Sequence, residues 1–244
     1  MKWAAFFAVM AVAFNVHASS LEFNSGVTQT VMVELYTSEG CSSCPPAEQY
    51  LNRFVDNEQL WKRYIPLALH VGYWDYLGWR DRFARPEHAQ RQRAYARLHH
   101  SPTIYTPAFF VNGESWRTGL FQQLPKPESP NVGNLAIRVA GDKVDARFTD
   151  SHRDIKQLKV QVAVAGLGLK TRIEAGENAG RSARHDFVLL GQTQLKPAGP
   201  GHWQGQLPTT SGFHPDRYAL VAWVTGPGSP APIQATGGYL PDLK

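Results

Sequence analysis

The chain has 244 residues, a formal net charge of +5 and only two cysteines. That length supports a sizeable core without disulfide stapling, and two cysteines exclude a disulfide-dense scaffold. The positive balance is mild and dispersed, apart from a basic stretch at Arg80–Arg97 read as a solvated helix face. With neither zinc-finger spacing nor a nucleic-acid motif, no nucleic-acid partner is expected.

The chain opens MKWAAFFAVMAVAFNVHASS. Lys2 precedes an apolar run, Trp3–Phe14, and Val16 and Ala18 fit a small-residue cleavage site. Residues 1–18 therefore read as a signal peptide. The run is short for a membrane span, so no stable membrane insertion is expected after cleavage. Export implies an oxidising compartment, where disulfides persist.

Strand-like and helix-like segments then alternate. VMVELYT (31–37) is apolar and β-branched, which predicts a buried strand. Ala47 to Tyr64 has helical spacing, with Tyr50, Leu51, Phe54, Val55 and Leu60 facing the core. IPLALHV (65–71) predicts a second strand, and Pro86 to His99 a second helix. On that helix Arg91, Arg93 and Arg97 are expected on the wet side, with Ala89, Ala96 and Leu98 packing inward. TPAFFVNG (106–113) predicts a third strand, and its Asn-Gly turn lets ESWRTG return antiparallel. Strands separated by helices imply a β-α-β unit and a largely parallel sheet.

Pro125, Pro127 and Pro130 mark a linker, and the grammar changes after it. LAIRV, KVDARF, QLKVQVAVAG, LKTRIEA, FVLLGQTQL and RYALVAWVTG are short strand-like runs split by turn residues. In QLKVQVAV, Leu158, Val160, Val162 and Val164 share one face while Lys159 and Gln161 share the other. Such strands predict an antiparallel sandwich. The intervening GENAGRSARHD (176–186) reads as a long hairpin connection, with an anion-binding loop as the competing reading.

Both cysteines lie in GCSSCPPAEQYL (40–51). A C-x-x-C between a strand and a helix, in a β-α-β context, reads as a thioredoxin-like redox motif. Cys41 and Cys44 can close a disulfide at the helix start. There the unpaired N–H groups and the macrodipole favour a thiolate, which is the nucleophile. Cys41 is expected to attack and Cys44 to resolve. Pro45 and Pro46 fit the first helical turn, where a missing N–H costs little.

The stretches VELYTSEGCSSCPPAE, ALHVGYWDYLGWRDRF, RQRAYA and IYTPAFFVNG resemble the bacterial secreted family catalogued as domain of unknown function 1223. The resemblance implies an α/β thioredoxin-like domain over residues 19–129 and an all-β, antiparallel sandwich-like domain over 130–244. It implies a periplasmic or secreted location. It also implies a cis bond before Pro107, with the proline facing the cysteine pair and Thr106 offering its backbone to a substrate chain. Thioredoxins place a buried acid on their first central strand under the second cysteine, and Glu34 is the matching residue here, expected to accept a proton from Cys44.

The remaining candidates are Trp74 and Trp79, which with Tyr73 and Tyr76 would form an aromatic rim for a peptide, and His70, near the end of the second strand. The main expectation is thiol–disulfide oxidoreductase activity on protein thiols or disulfides or on a redox partner. Its site is Cys41, Cys44, Pro107 and Glu34, with no cofactor beyond the redox-active disulfide. One alternative is a Cu(I)-binding or delivery protein using Cys41, Cys44 and His70. The other is a binding module with a structural disulfide.

Overall fold

The computed structural model describes residues 20–117, 125–126, 128–150, 153–210 and 212–241. The expected signal peptide, Pro127 and the LFQQL stretch lie outside the described residues.

Before the proline-rich segment the chain runs β1 (Leu21–Asn24), β2 (Val31–Thr37), α1 (Pro45–Asn52), β3 (Tyr64–His70), α2 (Pro86–Leu98), β4 (Ala108–Val111) and β5 (Glu114–Trp116). After it come β6 (Asn134–Ala140), β7 (Lys143–Thr149), β8 (Lys159–Leu167), β9 (Leu169–Arg172) and β10 (Ser182–His185). β11 (Val188–Gln194), β12 (Lys196–Gly199), β13 (His202–Gln206), β14 (Arg217–Thr225) and β15 (Pro232–Leu240) complete it.

One sheet has eight strands, in the order β15-β14-β8-β11-β3-β2-β4-β5. β2 and β3 are parallel, with Glu34 opposite Leu67, and β2 and β4 are antiparallel, with Tyr36 opposite Ala108. β11 lies parallel to β3 through Val188 and Ala68, then pairs antiparallel with β8. A second, antiparallel sheet has the order β1-β6-β7-β13-β12, and β9 pairs with β10 in a separate hairpin.

This arrangement corrects the expected fold class. The protein is mostly β, with fifteen strands and two α-helices among the described residues, and no thioredoxin-like α/β arrangement followed by a separate sandwich. Strands from both sides of the proline-rich segment share the eight-stranded sheet. The reason is visible at β3: its free edge is closed by β11, more than a hundred residues later, rather than by a strand of the N-terminal half.

The two helices take opposite faces of β2. α1 packs Ala47, Tyr50 and Leu51 with Val31, Val33 and Leu35. α2 brings Ala89 and Tyr95 to the cluster holding Met32, Tyr36 and Leu67. The smaller sheet places Leu135, Ile137, Ala146 and Phe148 with Leu158, Val160, Val162 and Val164. The four alternating residues picked out in QLKVQVAV thus do share one buried face.

Local differences have local causes. The first helix is shorter than its spacing suggested: a 3-10 turn covers Arg53–Asp56, and Asn57 is extended. On α2, Leu98 is exposed, whereas Arg91 turns inward because a buried carboxylate awaits it. The Asn112-Gly113 turn has positive φ at both residues, 48° and 92°, and leads into the predicted antiparallel return, β5.

Candidate functional site

Cys41 and Cys44 form a disulfide. They lie just past the carboxyl end of β2, and Cys44 is the N-cap of α1. Backbone bonds from Cys44 N to Cys41 O (3.2 Å) and from Ala47 N to Cys44 O (2.9 Å) fold the C-S-S-C arc onto the first helical turn. Ser42 and Ser43 are exposed, but Cys41 is only 2% exposed and Cys44 not at all. The Ser43 hydroxyl lies 3.4 Å from the Cys41 sulfur.

The β9–β10 hairpin lies against the backbone of the cysteine arc. Asn178, itself buried, donates its side-chain amide to Glu39 O (2.8 Å) and Cys41 O (2.9 Å). Glu177 accepts from Ser42 N at 3.2 Å. Gly176 has φ +74°, and an added Cβ would lie 3.2 Å from Trp79 Cβ, so a side chain there would push the hairpin tip away. GENAGRSARHD is a connection only in its first part: residues 173–181 join the two strands, Ser182–His185 form β10, and the hairpin tip rests on the cysteine arc.

The Thr106–Pro107 peptide is cis and leads into β4, whose Ala108 lies opposite Tyr36. Trp74 Nε1 donates to Thr106 Oγ1 at 2.7 Å, and Trp74 stacks on the exposed Tyr76. Trp79 has a different job: its Nε1 donates to Glu39 Oε2 at 2.8 Å. Gly40 packs so closely on Trp74 that a Cβ would sit 3.2 Å from Trp74 Cβ. The cysteine arc is thus held between two tryptophans, through Gly40 on one side and Glu39 on the other.

Glu34 does not sit under Cys44. Its side chain shares the face of Met32 and Tyr36, where α2 packs, while α1 covers the other face. There Arg91 Nε and Nη2 donate to its two oxygens at 2.6 and 3.1 Å, and Tyr95 Oη donates at 2.5 Å. Burial, with the neighbouring Glu34 charge, pushes the Tyr95 and Tyr36 hydroxyls well above the ordinary tyrosine range. The Glu34 carboxylate in turn holds Arg91 protonated against burial. This is a structural ion pair, and the role expected for Glu34 is corrected: side-chain alternation along a strand puts it on the wrong face.

The acids on the cysteine side are Glu39 and Glu48. His185 is buried between them, with Nδ1 donating to Glu48 Oε2 (2.6 Å) and Nε2 to Glu39 Oε1 (3.1 Å). Burial alone would push its imidazole down, but the Glu48 carboxylate and the two hydrogen bonds hold it up at about 10. Burial likewise opposes the charged form of Glu48, but His185 keeps that carboxyl below its ordinary value. Thr37 Oγ1 donates to Glu48 Oε1 at 2.6 Å.

His70 joins the same group. Its Nδ1 meets Asp81 Oδ2 at 2.7 Å, and its ring lies edge-on to that of His185, with centroids 5.1 Å apart. Burial opposes protonation, but Asp81 raises the imidazole above its ordinary value. Burial disfavours ionised Asp81, yet His70 keeps that carboxyl low. Asp81 also accepts from Glu39 N at 2.9 Å, which fixes the loop just before Cys41. Among the described residues the group of His, Cys, Asp or Glu side chains within metal reach is Glu48, His70 and His185. It contains neither cysteine.

Glu39, Glu48, Asp81, Asn178 and His185 were not among the residues expected at the site. Three of them stand inside the motif stretches, in SEGC, PPAE and WRDRF. His185 and Asn178 come from a hairpin with no local mark of its role.

Fold and site together define a mostly β protein whose helix-capping disulfide is backed by a buried carboxylate–imidazole network. Residues 32–225 match the family described as Protein of unknown function (DUF1223), and the chain belongs to it. The crystal structure of protein AGR_C_4864 from Agrobacterium tumefaciens is similar at a TM-score of 0.59 and 23% identity, covering 88% of this chain and 96% of that one. HBP35 of Porphyromonas gingivalis is similar at a TM-score of 0.56 and 16% identity, covering 88% and 76%. At these identities the likeness concerns the fold alone. No curated protein matches the chain.

Proposed function

We propose that the protein is exported to the periplasm or secreted and there exchanges thiols and disulfides with other proteins through Cys41 and Cys44. In the oxidised form a substrate thiolate attacks the Cys41 sulfur, the Cys41–Cys44 bond breaks, and the Cys44 thiolate leaves. A second substrate thiolate then attacks the mixed disulfide and releases Cys41 as a thiolate. The substrate gains a disulfide and the protein gains two electrons. Run backwards, with Cys41 attacking and Cys44 resolving, the same steps reduce a substrate disulfide.

The observation that carries this reading is the disulfide closed onto the first turn of α1. Its arc is exposed at Ser42 and Ser43, and the Ser43 hydroxyl is within reach of the Cys41 sulfur. Helix-terminal N–H groups and a hydroxyl donor both favour a thiolate. Trp74 and the exposed Tyr76 offer an aromatic surface for the substrate chain, with Trp74 braced on the buried Thr106 hydroxyl.

Insulin reduction and oxidation of a reduced test protein, each with a Cys41→Ser control, test the proposal. Turnover in either direction that the control loses supports it. Absence of turnover in both removes it.

A second reading is supported by the burial of both sulfurs, 2% and 0% exposed. On it the disulfide is structural and the protein is a binding module. Its mark is a reduction potential below about −300 mV with no measurable exchange.

A further inference from the structure

We propose that Glu48, His70 and His185 bind one divalent metal ion of the zinc class. The site is separate from the cysteine pair and uses donors from three elements: α1, the end of β3 and the end of β10.

The donor atoms lie within 4.8 Å of one another. Two imidazoles and one carboxylate are a set that zinc accepts, at bond lengths of about 2.0–2.2 Å, with a fourth position left for water or another ligand. Each donor already has an outer partner that fixes it. Asp81 takes Nδ1 of His70, and the remaining Nε2 is buried with no hydrogen-bond partner among the described residues. Glu39 takes Nε2 of His185 at 3.1 Å, and the metal replaces the Nδ1 proton that His185 shares with Glu48 Oε2 at 2.6 Å; that proton is released to solvent. Thr37 takes the other Glu48 oxygen. A carboxylate behind each metal-binding histidine is the arrangement that sets tautomer and ring orientation in metal sites. A histidine nitrogen buried with nothing to bond is costly unless a ligand meets it.

All three donors are buried, and Glu48 is the least so: its side chain is 11% exposed, against 2% for His185 and 0% for His70. The two imidazoles and the carboxylate suit Zn(II) better than the oxygen-seeking Mg(II) or Ca(II).

The test uses the mature protein in its disulfide form, stripped with a chelator. It is titrated with ZnCl2 by calorimetry and with CoCl2 by visible absorption. The expected result is one ion per chain, with ligand-field bands from Co(II) and no sulfur-to-cobalt charge transfer. A Cys41→Ser/Cys44→Ser variant retains this binding while losing any exchange activity, so failure of either proposal is seen without the other. Asp81→Asn weakens binding about 10–100-fold, and His70→Ala abolishes it. If His70→Ala does not fold, X-ray absorption of the zinc-loaded natural protein decides. A shell of nitrogen and oxygen with imidazole scattering supports the site, and sulfur in the shell overturns it. No binding at micromolar Zn(II), or undiminished binding by folded His70→Ala, also overturns it.

Discussion

Asn178 and Cys41 stand 137 residues apart in sequence and are joined by a hydrogen bond of 2.9 Å from the asparagine amide to the cysteine carbonyl. The same amide holds Glu39 O, so one side chain fastens the β9–β10 hairpin over the arc that carries the disulfide. Asn178→Ala leaves buried Glu39 O without its side-chain donor and Cys41 O with only its bond from Cys44 N, a loss of about 1–3 kcal/mol. Part of it falls on the covered state specifically. Cys41 in the reduced variant should therefore react with iodoacetamide about tenfold faster than in the natural protein, the equivalent of about 1.4 kcal/mol. An unchanged rate in a folded variant would show that the hairpin is not what shields the sulfur.

How far the sequence could be read depends on how local each signal is. β6, β7, β8, β11 and β14 announced themselves by alternation and turn residues, and the Asn112-Gly113 hairpin by its turn alone. β15 did not, because QATGG carries little β-branched character. It forms through its full-length ladder with β14. The pairing of β11 with β3 rests on a contact between distant segments, which no local pattern encodes, and it overturned the expected fold. At the site, Cys41, Cys44 and the Thr106–Pro107 bond could be found from motifs. The strand that carries Glu34 is legible in VMVELYT, but its face follows from alternation: Val33 and Leu35 lie under α1, so the carboxylate lies on the α2 side. His185 stands in the GENAGRSARHD stretch, but its partners Glu39 and Glu48, 146 and 137 residues away, follow from no local pattern.

The Glu34–Arg91 pair makes a stability prediction separate from the disulfide. Removing one member of a buried pair leaves an uncompensated charge, so Arg91→Ala should destabilise by about 3–5 kcal/mol. Arg91→Lys recovers only part, since it cannot reproduce the two-pronged contact at 2.6 and 3.1 Å. Glu34→Leu with Arg91→Met should cost less than Arg91→Ala alone. Urea denaturation gives all three values. None of these variants should shift the pH profile of Cys41 alkylation, because the pair sits on the α2 face. A shift there would restore Glu34 to the cysteine site.

A sheet shared by both halves of the chain predicts shared unfolding. β11 pairs with β3 on one side and β8 on the other, and its Leu189 is buried with Leu67, Leu69 and Ala165. Leu189→Ala should cost about 2–5 kcal/mol. Far-ultraviolet dichroism and tryptophan fluorescence should still lose their native signals at one common urea midpoint, as a single cooperative unit requires. Two separated midpoints, with only one moved by the substitution, would mean that the halves unfold independently.

His88 supplies the acid-side prediction. It is buried, its Nδ1 donates to the His70 carbonyl at 2.8 Å, and burial pushes its imidazole down to about 4 from 6.5. Below 6.5 the unfolded chain takes up a proton at this residue that the folded chain does not accept until about 4. The unfolded state therefore binds more protons across that window, so stability falls as the pH falls through it, by up to about 3 kcal/mol. His185 works in the opposite range. Held up at about 10, it adds stability that is fully present below 6.5 and is lost as the pH rises towards 10. It therefore contributes no slope on the acid side. Glu48 and Asp81, both lowered, begin to lose their contribution only as the pH drops through the ordinary carboxylate range. His88→Asn keeps a donor for the His70 carbonyl and removes the titrating group. The difference in unfolding free energy between the natural protein and His88→Asn, followed from pH 7 to about 4.5, should change steadily below 6.5, with the natural protein losing ground. A difference that stays flat over that range would mean that His88 is protonated in the folded protein as readily as in the unfolded chain.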